Sequence, residues 1–217
     1  YLGKAIEAPE RPFVAILGGA KISGKIDVIL NLIDKVDTVI VGGGLVYTMY
    51  KAMGLNIGDS LLEEDRVELA GEILKRFETS RAKLLMPLDH VIADGFSETA
   101  NTQIVDREAI PDGWEGLDIG PKSIALFVEE LRKAKTVLWN GPLGCFEMAP
   151  FAAGTMSIAK AIAETDCVSI VGGGDSISAI NKSGLTEHFS HLSTGGGASL
   201  EFLEGKALPG VVALSDR

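Results

Sequence analysis

The stretch Gly18–Lys25, GGAKISGK, sets two lysines four residues apart behind a pair of glycines. From Gly19 it matches most of the phosphate-binding pattern GxxxxGK[ST], in which backbone N–H groups and the lysine cradle phosphate and a hydroxyl binds magnesium. The residue that should carry that hydroxyl is Ile26. The residues alone leave two readings open: such a loop with a broken end, or a different anion site sharing its letters. The physics is common to both. Lys21 and Lys25 at a helix start would share a face, and two ammonium groups beside free N–H groups make an anion site.

The arrangement recurs along the chain. Apolar runs lead into Gly18-Gly19, Gly42–Gly44, Gly172–Gly174 and Gly195–Gly197, and Asn140-Gly141-Pro142 is a further turn of this kind. In a parallel sheet such turns meet at one edge, where ligands bind. Their number favours a phosphate-bearing ligand over simple tight turns. Asp175, just after a triple glycine, suits a helix N-cap and a magnesium-holding carboxylate equally. Glu147 follows a GPLGCF turn and suits a bond to a sugar hydroxyl. A dinucleotide fingerprint needs GxGxxG, and the last glycine is absent after Gly42–Gly44 and after Gly172–Gly174. Asp37 has about the spacing of a ribose-binding acid but precedes its apolar run instead of ending it. An NAD-dependent oxidoreductase is therefore the weaker alternative. Asp89, His90 and Asp94 can be drawn as a metal cluster, yet His90 opens an apolar run, which predicts a half-buried or capping side chain. Trp114 and Trp139 read as packing residues, and Cys145 as a small apolar filler beside the pocket.

The elements that must hold these residues alternate. Strands are predicted at Phe13–Leu17, Thr38–Val41, Lys83–Met86, His90–Ala93, Thr136–Trp139 and Cys167–Val171. Helices are predicted over 23–36, 45–53, from a Ser60–Glu63 capping box to Phe77, over 122–134, from Pro150 to Ala163, and after Gly174. A last helix is expected from about Ala198, and residues 94–120 read as irregular and turn-rich. Apolar strands separated by helices predict a doubly wound α/β layer of about six mostly parallel strands, covered on both faces.

Bulk properties bound the function. A chain of 217 residues with 46% hydrophobic and 23% charged residues suits one large α/β domain. A formal charge of −10 without a dense basic run disfavours nucleic acid, while a small anion needs only a few aimed donors. No apolar run approaches the roughly 18 residues of a membrane span. Cys145 and Cys167 form no CxxC pair, as expected of reduced thiols in a cytoplasmic protein. No signal peptide is read, and the chain opens at Tyr1, which fits a processed chain or a piece of a longer one.

Taken together, GGAKISGKI (18–26), GGGLVYT (42–48), LWNGPLGCFE (138–147), VGGGDS (171–176) and HLSTGGGASLEFLEGKALPG (191–210) resemble, in order, the carboxyl-terminal half of phosphoglycerate kinase. The resemblance implies a Rossmann-like three-layer sandwich that binds Mg2+ with ADP or ATP. It implies an interlobe linker over 1–12, a nucleotide-binding domain over 13–205 and a tail over 206–217 that returns toward an amino-terminal lobe. That lobe would carry the 3-phosphoglycerate site. By position, Lys21 would contact the transferring phosphoryl group and Lys25 the nucleotide phosphates, with Gly19, Gly173 and Gly174 beside them. Gly42, Gly43, Leu61, Gly116 and Leu117 would wall the adenine. Asn140, Pro142 and Gly144 would line the nucleotide, and Glu147 would hold the ribose hydroxyls. Asp175 would bind magnesium with Ser176 near the phosphates, and Gly195, Gly196 and Gly197 would offer N–H groups to the transferred phosphoryl. The family commonly has Asp at the position of Gly24, often Thr at Ser176 and often another small residue at Cys145, so the phosphate-loop match through Gly24 reads as accidental. The family suggests a monomer. The implied function is phosphoryl transfer between 1,3-bisphosphoglycerate and ADP in glycolysis, with this chain alone binding nucleotide and catalysing little.

Overall fold

The structure, a computed structural model, describes residues 8–193. In chain order its elements are β1 (Phe13–Leu17), α1 (Ile26–Leu32), β2 (Thr38–Val41), α2 (Leu45–Ala52), α3 (Val67–Thr79), β3 (Lys83–Leu85), β4 (Asp89–Ala93), β5 (Thr102–Asp106), β6 (Glu115–Ile119), α4 (Pro121–Leu131), β7 (Thr136–Asn140), α5 (Ala153–Ala163), β8 (Val168–Gly172), α6 (Gly174–Ser183) and β9 (His191–Ser193). β1, β2 and β7 contain only buried residues, the mark of strands covered on both faces. They lie in a six-stranded sheet of order β3-β2-β1-β7-β8-β9, parallel at every pairing.

Alternation along β1 divides the core. Phe13, Ala15 and Leu17 pack on one side with Val28, Ile29, Val46, Met49 and Ile73 of α1, α2 and α3. Val14 and Ile16 pack on the other with Phe127, Leu131, Ile158, Ile162 and Ile180 of α4, α5 and α6. The period of two in a strand places successive side chains on opposite faces, so one five-residue strand serves both cores. The result is the expected three-layer, doubly wound α/β fold. The chain runs outward from β1 to β3 and resumes at β7 on the other side of β1. That reversal opens a crevice between the carboxyl ends of β1 and β7.

Residues 94–120 depart from expectation. They supply β5 and β6, which flank β4 in a separate antiparallel sheet of order β5-β4-β6. β5 is exposed at four of its five positions, so its pairing is a matter of backbone and leaves no apolar alternation to read. Three helix starts also differ. Ser60 is no N-cap: its Oγ accepts the Gly116 N–H, and a 3-10 turn at Glu64–Arg66 precedes α3. Pro150 sits in a 3-10 turn, Ala149–Phe151, ahead of α5, and the proline that opens an α-helix is Pro121. α1 is shorter than predicted because Ser23 turns away to Glu63, its N–H donating to Oε2 at 3.0 Å.

Asp89 joins the antiparallel sheet to α4, which packs on the main one. Its buried carboxylate accepts the Lys122 and Ser123 N–H groups at 3.0 and 2.8 Å, satisfying the start of α4. Asp89→Ala is expected to destabilise the chain by roughly 2–4 kcal/mol in urea unfolding, because the buried Ser123 N–H and the part-buried Lys122 N–H lose their partner; a loss under about 0.5 kcal/mol would contradict this account.

Candidate functional site

The turns after β1, β2, β7 and β8 are bonded to one another. Gly18 N–H donates to the Asn140 carbonyl at 2.9 Å and Gly19 N–H to the Pro142 carbonyl at 2.8 Å. Gly43 N–H donates to Leu143 O at 3.1 Å, and Gly141 N–H to the buried Ser176 Oγ at 2.6 Å. The approach is too close for side chains. A Cβ at Gly43, where φ is +70°, would stand 2.6 Å from the Gly19 carbonyl; at Gly141, where φ is +100°, it would stand 2.2 Å from the Gly18 carbonyl. Glycine is therefore required here first so that backbone can meet backbone.

Two adjoining cavities occupy the crevice. One, of about 420 Å³, is walled by Gly43, Gly44 and Leu61 on one side and Gly116, Leu117 and Leu143 on the other. Tyr47 and His90 lie at its buried end; Phe96, Glu115, Cys145 and Glu147 also line it. The second, of about 270 Å³, is lined by Lys21, Lys25, Asn140, Gly173, Gly174 and Ser176 among others. Gly19, Ala20, Pro142 and Asp175 belong to both. An apolar slot that opens into a space lined by two lysines suits a molecule with a flat apolar body and an anionic tail.

Of the described residues anticipated as a site, all line these cavities except Gly42, where any side chain would strike Leu143. Gly195, Gly196 and Gly197 lie outside the described residues. Lys21 and Lys25 do not share a helix face: α1 begins at Ile26, Lys25 is its N-cap residue, and Lys21 stands exposed in the turn before it. Lys25 Nζ bonds Asn140 Oδ1, which ties this side chain to the end of β7. Asp175 is not an N-cap either. Gly173 takes that place, and Asp175 is an exposed first-turn residue of α6. Glu147 is held at the rim by Lys182 Nζ, which donates to the Phe146 and Glu147 carbonyls at 2.9 and 3.1 Å.

Among the residues not anticipated are Phe96, Tyr47, His90 and Glu115. Phe96 is 68% exposed in the loop after β4, and an aromatic in a polar loop was the one signal available. Tyr47 and Tyr50, three apart in an apolar helix, belong to the core, and nothing in that spacing marks one of them as lining a cleft. His90 is fully buried, and desolvation holds its pKa down to about 4, so it is neutral. Its neighbour Asp89 does the capping, and no group of three or more metal-ligating side chains occurs among the described residues. Asp37 lies at the far edge of the sheet, bonded to Arg11 and to Phe13 N–H, so no carboxylate ends β2 as the dinucleotide pattern requires. Trp139 is packing, with Nε1 donating to the Gly141 carbonyl at 2.8 Å. Burial pushes the Cys145 thiol up to about 11, which leaves little thiolate for nucleophilic work.

This fold and crevice define a doubly wound α/β protein of the Rossmann strand order, with its cleft at the switch point. The family model for phosphoglycerate kinase matches residues 1–206, and the chain belongs to that family. Phosphoglycerate kinase of Clostridium novyi is 55% identical over all of this chain and 54% of its own length. That of Chloroherpeton thalassium is 58% identical, again over all of this chain and 55% of its own. The phosphoglycerate kinase structure from Coxiella burnetii superposes with a TM-score of 0.95 at 42% identity, over 98% of this chain and 55% of that one. The one from Pyrococcus horikoshii OT3 gives 0.84 at 31% identity, over 99% and 54%. The chain spans about half the length of these relatives.

Asp118, 2% exposed, braces the cleft wall. Its carboxylate accepts Ile119 N–H at 2.8 Å and, across to the start of α5, Gly154 N–H at 2.7 Å. Desolvation outweighs those bonds and raises its pKa to about 7. A carboxyl whose folded pKa lies above its unfolded value binds a proton that the unfolded chain has lost, so its contribution to stability falls as pH rises from about 4 to about 7 and then levels off. The slope is at most about 1.4 kcal/mol per pH unit. Urea unfolding at several pH values should show this component in the wild-type chain and not in Asp118→Asn; identical slopes would refute the assignment.

Proposed function

We propose that the cleft binds ADP or ATP with Mg2+, and that the chain is the nucleotide-binding part of a phosphotransferase. Its reaction would be reversible phosphoryl transfer between 1,3-bisphosphoglycerate and ADP, giving 3-phosphoglycerate and ATP in glycolysis. The observation that carries this reading is the junction of an apolar slot with a lysine-lined cavity at the sheet's switch point. The base would lie between Gly43, Leu61, Gly116 and Leu117, with Glu147 at the ribose. The phosphates would lie toward Lys25, Gly19, Asn140, Gly173 and Gly174, with Lys21 at the moving group.

Magnesium fits this set. Asp175 is exposed where the two cavities meet, and one carboxylate with substrate phosphates is the usual way of holding this ion. When bound, it would neutralise phosphate charge. The chain's own residues position and stabilise: Lys21 offers charge to oxygens on which negative charge spreads, and no side-chain nucleophile is needed. The 3-phosphoglycerate site is assigned to sequence beyond this chain, with residues 1–12 as linker, 13–205 as domain and 206–217 as returning tail. Orientation of a second substrate is worth about 7–11 kcal/mol, so the chain alone would turn over little. A cytoplasmic monomer is the accompanying expectation; no helix among the described residues is long and apolar enough to cross a membrane.

Calorimetric titration of the chain with Mg-ADP should show binding, and with NADH none; the reverse pattern would defeat the reading. Added 3-phosphoglycerate and ATP should yield no ADP at a kinase rate, and turnover at about 1–100 per second would overturn the inactivity of the chain alone. The two cysteines give a positional check. Both thiols are half-buried and raised to about 11, but Cys145 lines the cleft while Cys167 precedes β8 at the opposite sheet edge. At pH about 9, where some thiolate forms, ADP should slow alkylation of Cys145 at least fivefold, by roughly the occupied fraction, and leave Cys167 unchanged. Equal rates with and without saturating ADP would place the nucleotide elsewhere.

A further inference from the structure

The turn from Gly19 to Lys25, which lines the lysine cavity, is held at both ends. Gly19 N–H donates to the Pro142 carbonyl at 2.8 Å, and Lys25 Nζ bonds Asn140 Oδ1. Between these ends Ile22 is buried in the core, while Lys21, Ser23 and Gly24 stand exposed. A Cβ at Gly24 would meet nothing within 4 Å, so packing gives that part of the turn no support. What meets the turn instead is a carboxylate. Ser23 N–H donates to Glu63 Oε2 at 3.0 Å, and the Ser23 hydroxyl donates to Oε1. Glu63 is fixed in its turn, its own N–H donating to the buried Thr48 Oγ1 at 3.2 Å.

A carboxylate is an unexpected partner at this place. The cavity in front of the turn is lined by two lysines and suits anions, and a negative charge behind the turn opposes any phosphate that enters. Desolvation would raise the Glu63 pKa, yet the bonds from Ser23 and Ile22 and the charge of Lys21 outweigh it and hold it below the ordinary carboxylate value. Glu63 is therefore ionised at neutral pH. Its charge works against phosphate, so its value to an anion site must lie in its bonds. Its two oxygens accept from the N–H and the hydroxyl of one residue at once. Bonds to an ionised acceptor are about twice as strong as neutral ones. A loop ordered before its ligand arrives spares that ligand the cost of ordering it.

We propose that Glu63 is a positioning residue for phosphate: through Ser23 it fixes the turn with Lys21 already at the cavity, and the gain in order exceeds the repulsion. The proposal rests on the nucleotide reading of the cleft given above. Glu63 itself lines neither cavity, so it acts through the turn and not by touching the ligand. Charge and position give opposite signs. Glu63→Ala removes the charge and the bonds together. Glu63→Gln removes the charge alone: its Oε1 accepts the Ser23 N–H, and its amide N–H donates to Ser23 Oγ once the hydroxyl turns round.

ADP and adenosine are the probes, since they share a base and a sugar and differ in phosphate. In calorimetric titrations of the 217-residue chain, Glu63→Ala should bind ADP about fivefold more weakly than wild type, and Glu63→Gln no more weakly. Adenosine, followed by chemical-shift titration, should differ less than about twofold among the three chains. ADP bound by Glu63→Ala as tightly as by wild type, or more tightly, overturns the proposal. So does a loss that adenosine shares in full, or one that Glu63→Gln shows equally. Each of these leaves the nucleotide reading standing, whereas failure of the wild-type chain to bind ADP overturns the two together. Should Glu63→Ala not fold, Ser23→Ala decides, because it removes one of the two bonds from the side of the turn. ADP affinity should then fall about two- to threefold, and an unchanged affinity overturns the proposal.

Discussion

Backbone contact between the turn after β1 and the turn after β7 is the constraint on which the rest depends. The two strands are neighbours in the sheet, yet more than a hundred residues apart in the chain, and their exits are bonded at 2.8 and 2.9 Å. That closeness fixes where the crevice can open. It also explains why the glycines cluster as they do. Side chains at Gly43 or Gly141 would force the turns apart before any ligand arrived. The same turns, together with α6's first turn, then line the open space. Architecture and binding surface thus come from one set of contacts.

Much of this was legible in the residues. Strands β1, β2, β7 and β8 announce themselves as short, largely apolar runs that lead into glycine turns, because burial on both faces favours apolar residues along the whole strand. The convergence of the glycine turns followed from their placement at one kind of strand end. What stayed hidden was held by backbone or by distant partners. β5 pairs through its main chain while its side chains stand in solvent. Ser60 and Glu63 have the letters of a capping box, but tertiary partners claim both: Gly116 donates to one and Ser23 to the other. Lys21 lies four before Lys25 in sequence, and a turn between them removes the helical relation that such spacing suggests. Phe96 and His90 join the site from the antiparallel sheet and its loop, which no local pattern connects to the glycine turns.

Buried polar groups recur as struts around the cleft. Asp89 closes the start of α4, Asp118 reaches the start of α5, and Ser176 receives the Gly141 N–H from the start of α6. Asp89 and Asp118 meet donors at helix beginnings, where backbone N–H groups lack partners within the helix, and Ser176 meets one in the turn after β7. Each joins elements distant in sequence, and a misplaced strut leaves a buried donor unmet, so these bonds favour a single arrangement of the cleft walls over nearby alternatives.

The bond between Glu63 and Ser23 has a mechanical meaning. Glu63 stands two residues after Leu61, which walls the apolar slot, and Ser23 stands two residues after Lys21 in the second cavity. Glu63 N–H is itself anchored to Thr48 Oγ1 at 3.2 Å on α2. The width of the slot and the reach of the lysine loop are therefore members of one linkage. An occupant that wedges Leu61 outward pulls on the loop bearing Lys21, much as pressing one arm of a lever moves the other.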